Sequence, residues 1–178
     1  MNVKISENKK QSSHYKVTPL KKVLIALDYD PTSRQVAKKG FSLAKTMNAE
    51  VVLLHVIADA TYYSSLEYSP VIGFGDFSNT DFFRIVDVNG LKKASENFLD
   101  ELKKHLGDKT IRTTVEEGDT AESILKVAKH LHADMIVMGS HSRSGLEQIL
   151  LGSVTEKVLH HTSIPLYIIP TKEKKSSN

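Results

Sequence analysis

Between Met138 and Thr155 the chain reads M-G-S-H-S-R-S-G-L-E-Q-I-L-L-G-S-V-T, a spacing of glycines and hydroxyls suited to holding an anion with main-chain amides. The apolar run Met135-Ile136-Val137-Met138 is too short for a helix and is bounded by glycine, so it predicts a buried strand. At the far end, Gly152-Ser153-Val154-Thr155-Glu156 opens a helical segment. Neither Gly139 nor Gly152 carries a Cβ: the first is expected to allow a sharp turn at the strand end, the second a close approach of ligand to backbone. Unpaired N–H groups at a helix start, with the positive end of the helix dipole, favour a phosphate, and the hydroxyls of Ser153 and Thr155 are expected to add donors. The same letters have a second reading. Ser153-x-x-Glu156 is also a capping box, in which the two residues satisfy each other's backbone donors and no ligand is required. The local pattern leaves both open.

The whole tract resembles the universal stress protein family, whose nucleotide-binding members carry a glycine, two residues, a second glycine, nine residues, then Gly-Ser or Gly-Thr. Gly139, Gly152 and Ser153 stand in that register, and L-L-G-S-V-T-E-K-V is similar to the family's approach to its last helix; the resemblance spans about Lys21 to Thr171. Ser142 departs from it, standing where the middle glycine is expected. A Cβ there narrows the approach of a phosphate, although the hydroxyl can itself donate. The resemblance implies ATP or another adenine nucleotide, with Mg²⁺ carried by the phosphates. It places Ala26, Leu27 and Val56 near the base, Met138 against it, and Asp28 at the nucleoside; as bare residues the first four read as strand core, and Asp28 as the helix-entry residue of the Asp28-Tyr29-Asp30-Pro31-Thr32 turn. Around the phosphates it places Gly139, His141, Ser142, Arg143, Gly152, Ser153, Val154 and Thr155. It also implies a dimeric regulator of the stress response rather than an enzyme.

At 178 residues, 40% hydrophobic and 25% charged, the chain suffices for one globular domain with a proper core. It has no cysteine, which excludes disulfides and thiolate chemistry and agrees with a reducing compartment. With no apolar run of membrane-spanning length and no apolar core for a secretion signal, the expectation is a cytoplasmic protein. The net charge of +3 resides in the ends: Met1–Lys22 holds +5 and Thr171–Asn178 holds +2, leaving the body at −4. Without interleaved aromatics, residues 1–20 and 172–178 are expected to be solvated tails around a domain at 21–171, with neither nucleic acid nor membrane as a partner.

That domain must position the glycine tract. Lys22–Asp28 predicts a strand, and Pro31-Thr32-Ser33 opens a helix with Val36, Ala37, Phe41, Leu43, Ala44 and Met47 at core spacing. Glu50–Ile57 is a second apolar strand, and Leu91, Ala94, Phe98, Leu99, Leu102 and Leu106 form an amphipathic stripe. Ile111–Glu116 alternates as a half-exposed edge strand would. Gly118-Asp119-Thr120 caps a helix to about Leu131, and a strand at Met135, a helix over Ser153–His161 and the strand Leu166–Ile169 complete the pattern. Strands alternating with helices imply crossovers and a doubly wound, five-stranded parallel α/β sheet with helices on both faces. The resemblance implies order 3-2-1-4-5. In that order the winding reverses between strands one and four, where Asp28 and the glycine tract meet.

Leu166-Tyr167-Ile168-Ile169 would then be an apolar edge with no charge to discourage pairing, which predicts a cover. The same strand of a second subunit is the expected one, as the family resemblance also implies; the alternative is the long insertion. That insertion, 58–88, holds seven of the twelve Phe and Tyr residues and is expected to pack as a lid, a dimer contact, a surface for other proteins or simply against its own subunit.

His55 reads as an interior histidine, and His130, His132, His160 and His161 sit near helix ends; none forms a metal set. The Walker lysine pattern is missing, and no Ser-His-acid or Cys-His set stands at a plausible site. A response-regulator receiver would need a phosphoacceptor acid ending strand three, which Glu116 and Glu117 fit poorly. Besides the nucleotide-binding reading there remain a nucleotide-free scaffold of the same family and a slow ATPase.

Overall fold

The computed structural model describes residues 18–58, 88–140 and 151–171. The expectations for both tails, for the 58–88 insertion and for His141, Ser142 and Arg143 therefore lie outside the described residues, apart from the ends of these segments. The elements run β1 (Lys22–Leu27), α1 (Ser33–Thr46), β2 (Glu50–Ile57), α2 (Val88–Leu106), β3 (Arg112–Glu117), α3 (Thr120–His130), β4 (Met135–Gly139), α4 (Ser153–His161) and β5 (Leu166–Ile169). The five strands form one parallel sheet in the order β3-β2-β1-β4-β5. This is the expected doubly wound α/β architecture.

The alternation of side chains along each strand divides the core into two layers. Val23, Ile25, Leu27, Val51, Leu53 and Val137 face α1 and α2, whose Val36, Ala37, Ala44, Phe98, Leu99 and Leu102 complete that layer. Leu24, Val52, Leu54, Val56, Ile136 and Met138 face α3 and α4, meeting Ile124, Val127, Ala128 and Val158. Strands covered on both sides need apolar residues at every position, which is why β1, β2 and β4 are continuous hydrophobic runs. β3 lies at an edge and is only partly covered, with Arg112, Thr113 and Glu117 exposed. Its strand begins at Arg112 rather than Ile111, which is buried in the core. Asp119 caps α3 as expected: its carboxylate accepts from the Glu122 amide at 2.9 Å.

Two contacts set the distance at which these layers lie. Gly40, in the middle of α1, is buried, and a Cβ there would come within 2.9 Å of Ile25 Cδ1 and 3.0 Å of Val137 Cγ1. The glycine thus lets the helix backbone sit directly on β1 and β4. At the amino ends of those strands, Asp134 accepts from the amides of Lys21 at 2.8 Å and Lys22 at 2.9 Å, while Lys22 Nζ donates to the Leu131 carbonyl at 3.0 Å. β1 and β4 are therefore clamped at the end away from the glycine tract.

Gly40→Ala pits a helix-propensity gain of about 1 kcal/mol against overpacking of two fully buried branched side chains, which costs about 1–3 kcal/mol. Because neither Ile25 nor Val137 has solvent to move into, the expected result is a net loss of stability, read as a lower midpoint in thermal or urea unfolding.

Candidate functional site

The ladder between β1 and β4 pairs Val23 with Met135, Leu24 with Ile136 and Ile25 with Val137, and then stops. Its neighbours run on: β1 pairs with β2 as far as Leu27–His55, and β4 with β5 as far as Gly139–Ile169. Ala26 and Leu27 on one side, and Met138 and Gly139 on the other, thus end their strands without pairing to each other. α1 leaves β1 towards one face and α4 packs on the other, so a crevice opens at the carboxyl end of the sheet where the winding reverses.

α4 points its amino end at this place. Its N-cap is Gly152, in extended conformation and with no side-chain cap hydrogen bond. The first helical hydrogen bond is from the Glu156 amide to the Gly152 carbonyl at 2.9 Å. The amides of Ser153, Val154 and Thr155 have no acceptor among the described residues. The capping-box reading is thereby corrected: Ser153 is already the first helical residue, so its hydroxyl is one position too late to cap. What remains is a row of donors at the positive end of a helix dipole.

A compact hydrogen-bond web holds the base of the tract. The Gly152 amide donates to the Ser140 carbonyl at 2.9 Å, tying the N-cap residue of α4 to the one that follows β4. Ser140 donates from its amide to the Ile169 carbonyl at 2.8 Å, and its Oγ accepts from the Thr171 amide at 3.1 Å. Thr155 Oγ1 donates to the Gly139 carbonyl at 3.0 Å and is buried. The expectation that this hydroxyl faces an anion is corrected accordingly, since its one proton is engaged across the start of the tract. Gly139 also differs from its expected role. Its φ is not positive, so no left-handed turn requires a glycine. A Cβ there would lie 3.1 Å from Thr171 Cγ2 and 3.2 Å from Val36 Cγ2, so the requirement is space.

Asp28 is exposed at the end of β1. Ser33, buried at the start of α1, shares its one hydroxyl proton between the Asp28 carbonyl at 2.6 Å and Asp28 Oδ1 at 2.8 Å. The carboxylate thus does take part in starting α1 while remaining on the crevice side of the sheet. Ala26, Val56, Met138 and Val154 come together in the layer beneath α3 and α4, with Val56 and Met138 buried there as core residues. Leu27 faces the opposite layer. Lys157 is turned away from the crevice, donating to Asp119 Oδ2 at 3.1 Å and Glu122 Oε1 at 3.2 Å on α3. The hydrogen bond from the Glu122 amide, and then Lys157, hold the Asp119 carboxyl below its ordinary value.

Several participants were not legible in the sequence. Ser33 follows Asp28 and Asp30 in a D-x-D-x-T-S stretch whose hydroxyl pattern could have signalled a side-chain turn. Ser140 and Thr171 had no local signal, because they meet across 31 residues. His55 is buried with Nδ1 2.8 Å from the Leu27 carbonyl, as an interior histidine should be, but Nε2 has no hydrogen-bond partner among the described residues. Burial holds its pKa below the ordinary 6.5, against the upward pull of the Leu27 hydrogen bond and of Asp28.

A parallel α/β sheet with this winding reversal, and a glycine tract running from β4 to an uncapped helix, are the marks of one class. The universal stress protein family model matches residues 19–170, and the chain belongs to that family. It is 32% identical over 156 residues to the universal stress protein MJ0577 of Methanocaldococcus jannaschii, covering 85% of this chain and 96% of that one. YxiE, a universal stress protein of Bacillus subtilis, is 29% identical over 83% of this chain and 97% of its own. Among solved structures, that of MJ0577 superimposes with a TM-score of 0.61 at 28% identity, over 88% of this chain and all of that one. A universal stress protein solved in complex with cAMP shares the fold at a TM-score of 0.56 and 18% identity, over 87% of this chain and 100% of its own. Among the described residues, no helix is long and apolar enough to cross a membrane.

The unfolded chain takes up a proton near pH 6.5 that the folded chain refuses until lower pH, so His55's contribution to stability is complete above that value and is lost as the pH falls below it. His55→Asn, which keeps an N–H donor near Nδ1 but does not titrate, is expected to flatten the decline in unfolding free energy between pH 7 and 5; urea unfolding at fixed pH steps measures it.

Proposed function

We propose that this universal stress protein binds an adenine nucleotide, ATP in the first instance, in the β1/β4 crevice, and that it acts as a homodimeric regulator in the cytoplasm rather than as an enzyme. The observation that carries the reading is the set of three successive amides, Ser153, Val154 and Thr155, at the start of α4 with no acceptor among the described residues. A phosphate is the ligand that such donors and a helix dipole suit. Gly152 adds no side chain at their entrance, and the exposed Ser153 hydroxyl is a further donor. Ala26 and Val154, half-buried over the core residues Val56 and Met138, supply the apolar surface beside which a base would lie, and Asp28 the polar contact for a nucleoside. His141, Ser142 and Arg143 belong to the same proposed phosphate site through the family spacing. Mg²⁺ would arrive with the phosphates, which supply its oxygen ligands. The cAMP complex of a protein of the same fold agrees in ligand class.

The dimer rests on β5. Tyr167, in the middle of this edge strand, is 42% exposed, and Leu166 and Ile168 are only half-buried. Pairing with the same strand of a second subunit would cover an edge that is otherwise open to aggregation. The 58–88 insertion is proposed as a contact for other proteins.

Purified protein, once denatured, is expected to release adenine nucleotide detectable by absorbance and mass, and the apoprotein to bind Mg-ATP in calorimetric titration. Each amide contact to a charged phosphate is worth about 1.5–3 kcal/mol, so Gly152→Val should weaken Mg-ATP by about tenfold or more. Equal affinity of the two proteins would contradict the site, and no binding by either would favour the nucleotide-free scaffold. Light scattering at micromolar concentration is expected to give a dimer, and Tyr167→Lys a monomer; a monomeric parent protein would remove the dimer.

A further inference from the structure

The residues on either side of Asp28 are held more firmly than a surface turn requires. Leu27, the last residue of β1, offers its carbonyl to His55 Nδ1 at 2.8 Å. A carbonyl accepts only from an N–H, so Nδ1 carries the proton, and Nε2 of the neutral ring is a buried lone pair without a partner among the described residues. Tyr29, the residue after Asp28, packs edge-on against the His55 ring with centroids 4.5 Å apart, and both rings meet Phe98 of α2, at 4.9 Å from Tyr29 and 5.6 Å from His55. The Tyr29 hydroxyl donates to Ser95 Oγ at 3.0 Å, and Ser95 Oγ donates in turn to the Leu91 carbonyl at 2.8 Å. Asp28 is thus suspended between one neighbour tied to β2 and another tied to α2.

We infer that His55, Tyr29 and Ser95 are positioning residues for Asp28 at the crevice, and that proton uptake by His55 loosens this hold and lowers affinity for the ligand. The inference rests on the nucleotide reading above and deepens it by naming a control on the same site. A proton added at Nε2 would create a buried N–H with no acceptor among the described residues, beside the Tyr29 and Phe98 rings. The ring must then turn or admit water, and either movement disturbs the Leu27 carbonyl and the edge contact with Tyr29. Among the described residues, few groups nearby would offset that cost. β1 presents the uncharged Leu27 with Asp28 beyond it, the following loop presents the Tyr29 phenol, α2 presents Phe98 and Ser95, and β3 presents Val115 across the ladder. Asp28 is the one charge among these that favours the cation, and it is exposed, where water screens it.

The test follows the His55 ring and the Asp28, Tyr29 and Ser33 amides by nuclear magnetic resonance between pH 8 and 5 in ligand-free protein, then adenosine affinity over the same range. Adenosine has no phosphate to titrate. The expected result is that the three amides shift with the midpoint of His55 itself, that His55→Asn abolishes this shared transition, and that affinity falls below that midpoint by at most about tenfold per pH unit, the limit for one linked proton. Tyr29→Phe, which keeps the ring and removes the hydroxyl, is expected to weaken adenosine several-fold while preserving the pH dependence. Amides that stay still while His55 titrates, a ring that takes up no proton down to pH 5, or a His55→Asn profile identical to the parent would overturn the inference. Adenosine failing to bind at any pH would count against the nucleotide reading, and the ligand-free amide titration would still decide whether His55 controls the position of Asp28.

Discussion

The reversal of winding between β1 and β4 is the constraint on which the rest of the molecule depends. Right-handed crossovers leave β1 towards one face and β4 towards the other, so no connection can lie across the carboxyl ends of these two strands. The ladder between them ends at Ile25–Val137 while both flanking ladders continue. Asp134 fastens the opposite ends through the Lys21 and Lys22 amides, so the divergence is confined to the end where the glycine tract leaves the sheet. A rigid parallel core thereby carries a crevice without any strand having to give up burial.

Around that crevice, polar groups divide into those already satisfied by the fold and those that are not. The Gly139 and Ser140 carbonyls accept from Thr155 and Gly152, and the Ser140 hydroxyl accepts from Thr171. These bonds fix the base of the tract and the direction of α4. The amides of Ser153, Val154 and Thr155 have no such partner among the described residues. The fold thus satisfies these carbonyls with one hydroxyl and one amide and leaves a run of helix-start donors to be completed by water or, in the proposed reading, by an anionic oxygen. Lys157, the one lysine on α4, is engaged with Asp119 and Glu122, so the positive character of the amino end of α4 comes from its backbone.

Much of this architecture was legible in the sequence for physical reasons. Strands buried on both faces must be apolar throughout, and β1, β2 and β4 could be read directly from their runs; α2 announced itself by its stripe, and α3 by Asp119. The glycines were harder. Gly40 sits at a position where a side-chain pattern shows nothing, yet it brings α1 onto β1 and β4, and Gly139 makes room for Thr171, a residue far along the chain, instead of turning the backbone. Periodicity reports which face a residue occupies. It cannot report which atom a hydroxyl will meet, and so the bond of Thr155 to Gly139 and that of Tyr29 to Ser95 across 66 residues stayed hidden. The capping box and the anion cradle were indistinguishable as letters; a difference of one residue in where α4 begins separates them.

The most direct measurement of the central claim is the response of individual backbone amides to phosphate. Protein labelled with ¹⁵N, titrated in parallel with Mg-ATP and with adenosine, should show the Ser153, Val154 and Thr155 amides shifting strongly with Mg-ATP and little with adenosine, while residues near the base respond to both. ATP that binds and leaves those three amides unmoved would contradict the account, because the polyphosphate would then be held elsewhere.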